Sequence, residues 1–288
     1  MTTKSFAEQV NDIKNARMSK AAKKAELVKL GITKYECDVI LSTIAKRKLT
    51  ITFGVEIETF GAGRYAIEQR AQANGLPLRY MGYTHEDSRT MFKLVTDGSI
   101  VGGNGIECVT PILSGRSGFA ALENACATLN EAGAQVNKST GLHVHIGAER
   151  LSVEQYINVF VNYQMMEAVI DSFMANSRRR NNNRYCRSLV GYDLAGCHTR
   201  ESVWSILGNT RYRKVNPESF GRHKTIEFRQ HQGSTDFTKI KAWVNFCAKL
   251  VTWSLENRMT APIGSIEDIP FLNGVEKAFF SMRKRQLA

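Results

Sequence analysis

The sequence lacks the features of a membrane or secreted protein. It contains no run of about 18 apolar residues, which argues against a transmembrane helix. Residues 1–18 are polar where a signal peptide has an apolar segment. Its six cysteines include no Cys-x-x-Cys pair, so we expect reduced core thiols and no zinc cage. Together these absences predict a cytoplasmic protein.

The sequence has the composition of a folded protein, with an excess of positive charge. Hydrophobic residues make up 43% of the 288 residues, enough to bury the core of one large domain with an appendage. The formal net charge of +12 suggests an anionic partner. Charge alone does not distinguish a nucleotide from nucleic acid.

Half of this excess charge lies in residues 1–48, which hold eleven Lys/Arg and five Asp/Glu. Helical patterns at residues 21–30 and 34–45, separated by Gly31, predict an N-terminal helical hairpin. We interpret this segment as a basic helical arm. A helix-turn-helix that binds nucleic acid and a partner-binding arm are the alternatives.

Residues 49–288 mix strand and helix patterns, which predicts one α+β domain. Alternating or short apolar runs indicate strands at residues 51–58, 78–83, 92–96, 106–109, 141–147 and 225–231. Longer patterns with capping residues indicate helices at residues 64–74, 117–132, 152–176, 199–207, 236–256 and 271–285.

Three of these strands carry two polar residues on one face and apolar residues on the other. The pairs are Glu56 and Glu58, His143 and His145, and Glu227 and Arg229. Two acids roughly 6–7 Å apart on one strand repel each other unless a cation or a proton separates them. If the strands share a sheet, these side chains meet on one surface, with Glu107 as a fourth acid.

Each pair also has an ordinary structural interpretation. The two acids of the first pair could lie on an exposed strand face, the histidines could be hydrogen-bonded core residues, and the third pair could be a surface salt bridge. The three pairs together favour a metal site. Carboxylates with an occasional imidazole suit Mg²⁺ or Mn²⁺, used with a nucleotide, better than zinc.

Four short motifs give the sequence a specific resemblance. They are Gly54-Val55-Glu56-Ile57-Glu58, Asp97-Gly98-Ser99 followed by Gly105-Ile106-Glu107-Cys108-Val109-Thr110-Pro111, Thr140-Gly141-Leu142-His143-Val144-His145, and Ile226-Glu227-Phe228-Arg229. In this order they make residues 50–256 similar to the putative amidoligase family, a relative of glutamine synthetase and the glutamate–cysteine ligases. The resemblance implies a glutamine-synthetase-like curved antiparallel sheet with packed helices over residues 49–288.

The resemblance also implies an activity and its cofactors. A carboxylate would attack the γ-phosphate of ATP, and an amine would then displace phosphate from the acyl phosphate, with two or three divalent cations, Mg²⁺ or Mn²⁺. The implied ligands of the cation that bridges the ATP phosphates are Glu56, His143 and Glu227. Those of the cation near the substrate carboxylate are Glu58 and Glu107.

The remaining implied roles concern charge around the phosphates. His145 would lie by the nucleotide phosphates, and Arg229 would stabilise the transferring phosphoryl group beside Glu227. The motif does not fix the role of Asp97, which could orient the incoming amine or order its own turn. The acceptor could be a small molecule, a peptide end or a modified base.

Basic residues outside the motifs offer further contacts to anions. Arg184, in an arginine-rich loop over residues 178–187, could bind phosphate or a substrate carboxylate, lie in solvent, or bind nucleic acid. Arg222 and Lys224 could contact nucleotide phosphates. Two other function classes stay open: a nucleic-acid-associated protein that uses the basic arm and this loop, and a non-catalytic metal-binding relative.

Overall fold

The computed structural model describes residues 18–32, 51–82 and 90–288, together with Lys4, Gln9, Asp12, Ile13 and Ala16. The chain divides into two compact units, residues 1–50 and 51–288. Within the described residues there are eight α-helices and eight strands. The predicted α+β class is confirmed.

The described part of the first unit contains one helix, α1 (Lys20–Lys29). Ser19 caps its start, since the Ser19 Oγ accepts a hydrogen bond from the Ala22 amide at 3.2 Å. The helix ends before Gly31, which adopts a left-handed φ of +84°. This helix matches the first of the two predicted for the hairpin, whereas the second, at 34–45, lies outside the described residues.

The second unit is built on one sheet of eight strands. They are β1 (Thr52–Thr59), β2 (Leu78–Gly82), β3 (Phe92–Thr96), β4 (Ile106–Val109), β5 (Leu113–Ser114), β6 (Gly141–Gly147), β7 (Val215–Asn216) and β8 (Thr225–Gln232). The strand order is β2-β3-β4-β1-β6-β8-β7, and β5 pairs with β1. β1 and β6 therefore occupy the middle of the sheet.

The expectation of an antiparallel sheet is correct except at one edge, where β2 and β3 pair in parallel. A tight hairpin cannot make a parallel connection, because the chain must return to the end where the first strand began. Residues 83–91 connect these strands, and a segment of that length can span about 30 Å. The connection is therefore long enough for the parallel pairing.

Seven of the described helices belong to the same unit as the sheet. They are α2 (Arg64–Ala73), α3 (Gly115–Glu131), α4 (Val153–Ser172), α5 (Arg200–Ile206), α6 (Ser219–His223), α7 (Phe237–Trp253) and α8 (Gly274–Gln286). Among the described helices, none combines the length and apolar character that crossing a membrane requires.

The longest helix, α4, shows both a correct and a wrong boundary prediction. Ser152 begins it with a reciprocal capping box, in which Ser152 and Gln155 each bind the other's amide. The helix ends at Ser172, four residues before the predicted end. Beyond it the Ala175 amide donates to the Gln232 side chain at 3.1 Å, which holds this residue in an extended conformation.

The core lies on the apolar face of the central strands, as their alternation predicts. Val55, Val144 and Phe228 are at most 1% exposed and belong to one apolar cluster with Trp243 and Phe246 of α7. Each such side chain contributes about 1.5–3 kcal/mol to the free energy of folding when it is fully buried. Since helices cover this face, the polar residues of the same strands lie on the opposite one.

The five cysteines in the described residues are free and buried, at positions 108, 126, 186, 197 and 247. Burial raises the pKa of Cys126 to about 12, and nearby acids act in the same direction. These five therefore behave as the expected core thiols. Cys37 lies outside the described residues.

Asn162 of α4 ties this helix to the chain that follows α7. Its side-chain amide donates to Ser254 Oγ and to the Asn257 carbonyl, both at 2.9 Å, and its Oδ1 accepts from the Met259 amide at 2.7 Å. We expect Asn162→Leu to lower the free energy of unfolding by about 2–4 kcal/mol, because buried partners lose their bonds. Urea unfolding followed by tryptophan fluorescence measures this change.

Asn158, one turn earlier, provides the matched control. Its amide makes a longer bond of 3.3 Å to the Ser254 carbonyl, and its Oδ1 has no partner among the described residues. Asn158→Leu should therefore lower the free energy of unfolding by less than Asn162→Leu does. Equal losses in the two variants would contradict the role given to the Asn162 bonds.

His231 should make stability depend on pH. Burial lowers its pKa from 6.5 to about 4, so the unfolded chain binds a proton at a higher pH than the folded chain does. Stability therefore falls as the pH drops from about 6.5 towards 4, by at most ~1.4 kcal/mol per pH unit. Unfolding free energies of the wild type and His231→Gln between these pH values should show a shallower slope in the variant. Equal slopes in the wild type and His231→Gln would contradict this role of His231.

Candidate active site

The pairing of four adjacent strands gathers the polar residues on one face of the sheet. Glu58 of β1 lies opposite Glu107 of β4, and Glu56 lies opposite His143 of β6. His145 of β6 lies opposite Glu227 of β8. Directly opposed residues in antiparallel strands project to the same side. The three polar pairs and Glu107 therefore share one surface, which we call the acidic face.

Glu56 lies at the centre of the acidic face, because both of its oxygens bind a histidine. His143 Nδ1–H donates to Glu56 Oε2 at 2.8 Å, and His145 Nε2–H donates to Glu56 Oε1 at 3.1 Å. Burial alone would raise the pKa of Glu56, but His145 and His143 together hold it well below its ordinary value. Burial opposes the charging of His145, yet Glu56 and Glu227 raise its pKa.

Glu227 is held by a second pair of contacts. Arg229 Nη1 donates to Glu227 Oε1 at 2.5 Å, and Asn216 Nδ2 donates to Glu227 Oε2 at 2.6 Å. Burial would raise the pKa of this carboxyl, but Arg229 and His145 lower it. The Tyr185 carbonyl accepts from Arg229 Nε at 3.4 Å. The guanidinium is thus fixed in orientation between β8 and the loop at residues 178–187.

Glu107 shows that the acidic face carries more negative charge than its own cations neutralise. Burial raises the pKa of Glu107 well above its usual value, and Glu56, Glu58 and Asp97 raise it further. A cation bound nearby would act in the opposite direction, because it favours the ionised form of a carboxyl. The surroundings of Glu107 therefore suit a bound cation.

The donor set fits divalent cations. Two groups have ligand atoms that all lie within 4.8 Å of one another: Glu56 with His145 and Glu227, and Glu56 with Glu107 and His143. Both sets combine carboxylate oxygens with an imidazole nitrogen, which suits hard or borderline divalent ions. The first group contains His145, but His143 Nδ1 also lies 3.7 Å from Glu227 Oε1, so the assignment of Glu56, His143 and Glu227 to one cation stays a prediction.

Glu58 belongs to neither group. Its Oε2 accepts from the Gly141 amide at 2.6 Å, and its Oε1 lies 3.4 Å from His143 Nε2. A Cβ at position 141 would come within 2.9 Å of the same imidazole nitrogen. The glycine therefore leaves space for the His143 ring, and Glu58 contacts the ring from the side opposite Glu56.

The other predicted site residues have local partners in the structure. Asp97 Oδ1 accepts from the Ser99 amide at 2.7 Å, so Asp97 orders its own turn. Arg222 of α6 is exposed, and its Nη2 lies 3.9 Å from Oε1 of Glu218, the residue before this helix. Lys224 and Arg184 each lie over an aromatic ring, with the Lys224 Nζ 5.2 Å from the Phe220 centroid and the Arg184 guanidinium 4.7 Å from that of Tyr185.

Two arginines of the loop at 178–187 have structural contacts. Arg178 is 3% exposed and donates to the Thr140 carbonyl at 2.6 Å, just before β6 begins. Arg179 donates to the Met174 and Leu287 carbonyls at 2.9 and 2.7 Å. These contacts with neutral carbonyls hold the loop to the fold.

Sequence reasoning missed three residues of the acidic face. Asn216 lies in the two-residue strand β7, which has no periodicity to detect. Thr225 Oγ1 lies 2.9 Å from His145 Nδ1. Lys93 is 7% exposed and lies opposite Val109, which itself lies opposite Glu56. A lysine within the apolar strand β3 was the one signal that could have indicated this position.

Comparison with known proteins supplies a family. Residues 49–251 match the sequence profile of the family described as "Putative amidoligase enzyme". No curated protein sequence matches the chain. A solved structure described as "Crystal structure of novel glutamine synthase homolog" is similar at 12% identity with a TM-score of 0.35, over 82% of this chain. The similarity spans 62% of the length of that structure. Because the profile match covers most of its residues, the chain belongs to the putative amidoligase family.

Proposed function

We propose that the protein is an ATP-dependent ligase that forms an amide bond between a carboxylate and an amine. Family membership favours a ligase. The observation that carries the proposal is the acidic face itself, where Glu56, Glu107 and Glu227 meet two imidazoles next to a fixed guanidinium. Such a surface is costly to build for stability alone, because buried like charges repel each other.

The residues that would hold divalent cations are the two groups that share Glu56. One group contributes His145 and Glu227, and the other contributes Glu107 and His143. Mg²⁺ or Mn²⁺ bound there would neutralise and orient the phosphates of ATP. In this arrangement Glu58 would orient the His143 ring, since Glu58 Oε1 lies 3.4 Å from His143 Nε2.

Arg229 would stabilise charge on the phosphoryl group during transfer. An oxygen of the substrate carboxylate attacks the γ-phosphorus, the bond to the β–γ bridging oxygen breaks, and ADP leaves. The amine then attacks the acyl carbon, loses a proton and displaces phosphate. Glu227 and the Tyr185 carbonyl aim the guanidinium, since they bind it at 2.5 and 3.4 Å.

Cationic side chains near the acidic face would contribute phosphate contacts. Lys224 directly precedes Thr225, whose hydroxyl binds His145, so Lys224 and Arg222 would lie at the His145 end of the nucleotide. Arg184 lies next to Tyr185, at the Arg229 end. Asp97 binds the Ser99 amide of the β3–β4 turn through Oδ1, and its other carboxylate oxygen would orient the amine.

Divalent cations should stabilise the protein through the acidic face. At a hundredfold excess over its dissociation constant, Mg²⁺ or Mn²⁺ should add about 2–3 kcal/mol to the free energy of unfolding. Glu107→Gln removes a ligand from one of the two groups and one carboxylate, so it should reduce this gain and leave the metal-free protein at least as stable. Thermal unfolding with EDTA and with each metal measures both effects.

The exposed Glu123 offers a control for this measurement, because Glu123→Gln removes the same charge from the surface of α3. This variant should respond to the metals as the wild type does. An equal metal response in Glu107→Gln would mean that no cation binds through Glu107.

Arg229→Lys should separate nucleotide binding from phosphoryl transfer. The lysine keeps the charge but not the planar fork, so ADP formation should fall about 10²–10³-fold while ATP affinity stays within a few-fold. The assay supplies ATP, Mg²⁺ and pooled amino acids and amines, and follows amine-dependent release of ADP and phosphate. Glu56→Gln should abolish that release.

Arg150→Lys, at an exposed position after β6, tests whether any arginine substitution has this effect. It should leave ADP formation unchanged. Failure of the metal-loaded protein to bind ATP would disprove the ligase proposal, whichever substrates the pool contains.

A further inference from the structure

A cavity of about 370 Å³ lies beside β7, and none of its lining residues belongs to the acidic face. The residues that line it are Asn181, Arg187, Ser188, Val190, Tyr192 and Arg213. Arg187 and Arg213 are paired through the backbone, since the Arg187 amide donates to the Tyr212 carbonyl and the Lys214 amide donates to the Arg187 carbonyl. Two guanidinium side chains thus start from adjacent backbone positions.

Arg213 is buried without an acidic partner. It is 8% exposed, and its guanidinium donates to the Leu207 carbonyl at 2.8 Å, the Ser188 carbonyl at 3.3 Å and the Tyr192 hydroxyl at 2.7 Å. No carboxylate of the described residues lies within 4.0 Å of it. A buried charge among neutral acceptors is costly, and an anion in the cavity would offset that cost.

The rest of the cavity wall presents donors and apolar surface. Ser188 Oγ accepts from the Val190 amide at 3.0 Å, which leaves the hydroxyl hydrogen for another partner. Asn181 Oδ1 accepts from the Ser188 amide at 2.9 Å, so its oxygen is directed at the chain. The Tyr192 ring packs 4.6 Å from the Arg213 guanidinium. No acid is present in the lining.

We propose that this cavity is an oxyanion-binding pocket that takes the carboxylate or phosphate group of a small metabolite. The exposed Arg187 would meet the anion at the entrance, and Arg213 would bind it inside, because guanidinium forks match both oxyanions. The volume lies within the usual range for small-molecule sites. The pocket goes beyond the proposed ligase activity and does not depend on it.

Calorimetry tests the pocket directly. Inorganic phosphate and succinate are titrated separately into the metal-free and nucleotide-free protein, with chloride holding the ionic strength constant. We expect saturable binding of at least one of them. Arg187→Gln, at an exposed side chain whose loss leaves the fold intact, should weaken it about tenfold or more.

Arg211→Gln is the matched control, because it removes the same charge from an exposed side chain close in sequence that does not line the cavity. Its affinity should equal that of the wild type, as should that of Glu56→Gln. Binding of phosphate alone or of succinate alone supports the pocket and identifies the class of ligand. No saturable binding of either anion, equal weakening in Arg187→Gln and Arg211→Gln, or loss of binding in Glu56→Gln would overturn the proposal.

Discussion

The Glu56 carboxylate, bound by two imidazoles, is the contact on which the acidic face depends. Both of its oxygens are occupied, by His143 at 2.8 Å and His145 at 3.1 Å. The hydrogen bonds keep Glu56 ionised despite its burial, but they do not remove its repulsion of Glu107. The sheet tolerates this repulsion because its other face buries an apolar cluster under helices. Stability gained on one face thus supports a strained charge arrangement on the other.

A second polar network fixes the strand and loop that hold Arg229. Lys214 is fully buried, and its ammonium pairs with Glu167 at 2.8 Å and Asp171 at 2.6 Å, both on α4. The same carboxylates accept from the Leu189 and Arg180 amides. The Lys214 carbonyl accepts from the Arg229 amide at 2.8 Å. Removing one member of such a network leaves a buried charge unpaired, which costs about 3–5 kcal/mol. Arg229 is therefore connected to α4 through the backbone and side chain of Lys214.

Local sequence patterns predicted the strands of the acidic face better than they predicted the contacts between those strands. Alternation in β1, β6 and β8 correctly assigned the core-facing and polar residues, because side-chain direction is a property of the single strand. The distances from Glu227 to the two histidines depend on the register between strands, and that register is non-local. The same limit explains the parallel edge pair and the role of Asn216. Two-residue strands carry no period, so β7 and its contact with Glu227 could be found only in the fold.

The hydrogen-bond partners of the arginines show why net charge does not predict anion binding in this chain. Arg178 and Arg179 belong to the most basic stretch of the sequence, yet their forks bind main-chain carbonyls. Arg229 faces a carboxylate at 2.5 Å. Arg213 differs from all three, because it is buried beside a cavity that also contains a second, exposed guanidinium. A planar fork binds carbonyls as readily as phosphates, so the count of positive charges does not identify a binding site. What distinguishes Arg213 is a cavity next to a buried guanidinium whose hydrogen-bond partners are all neutral.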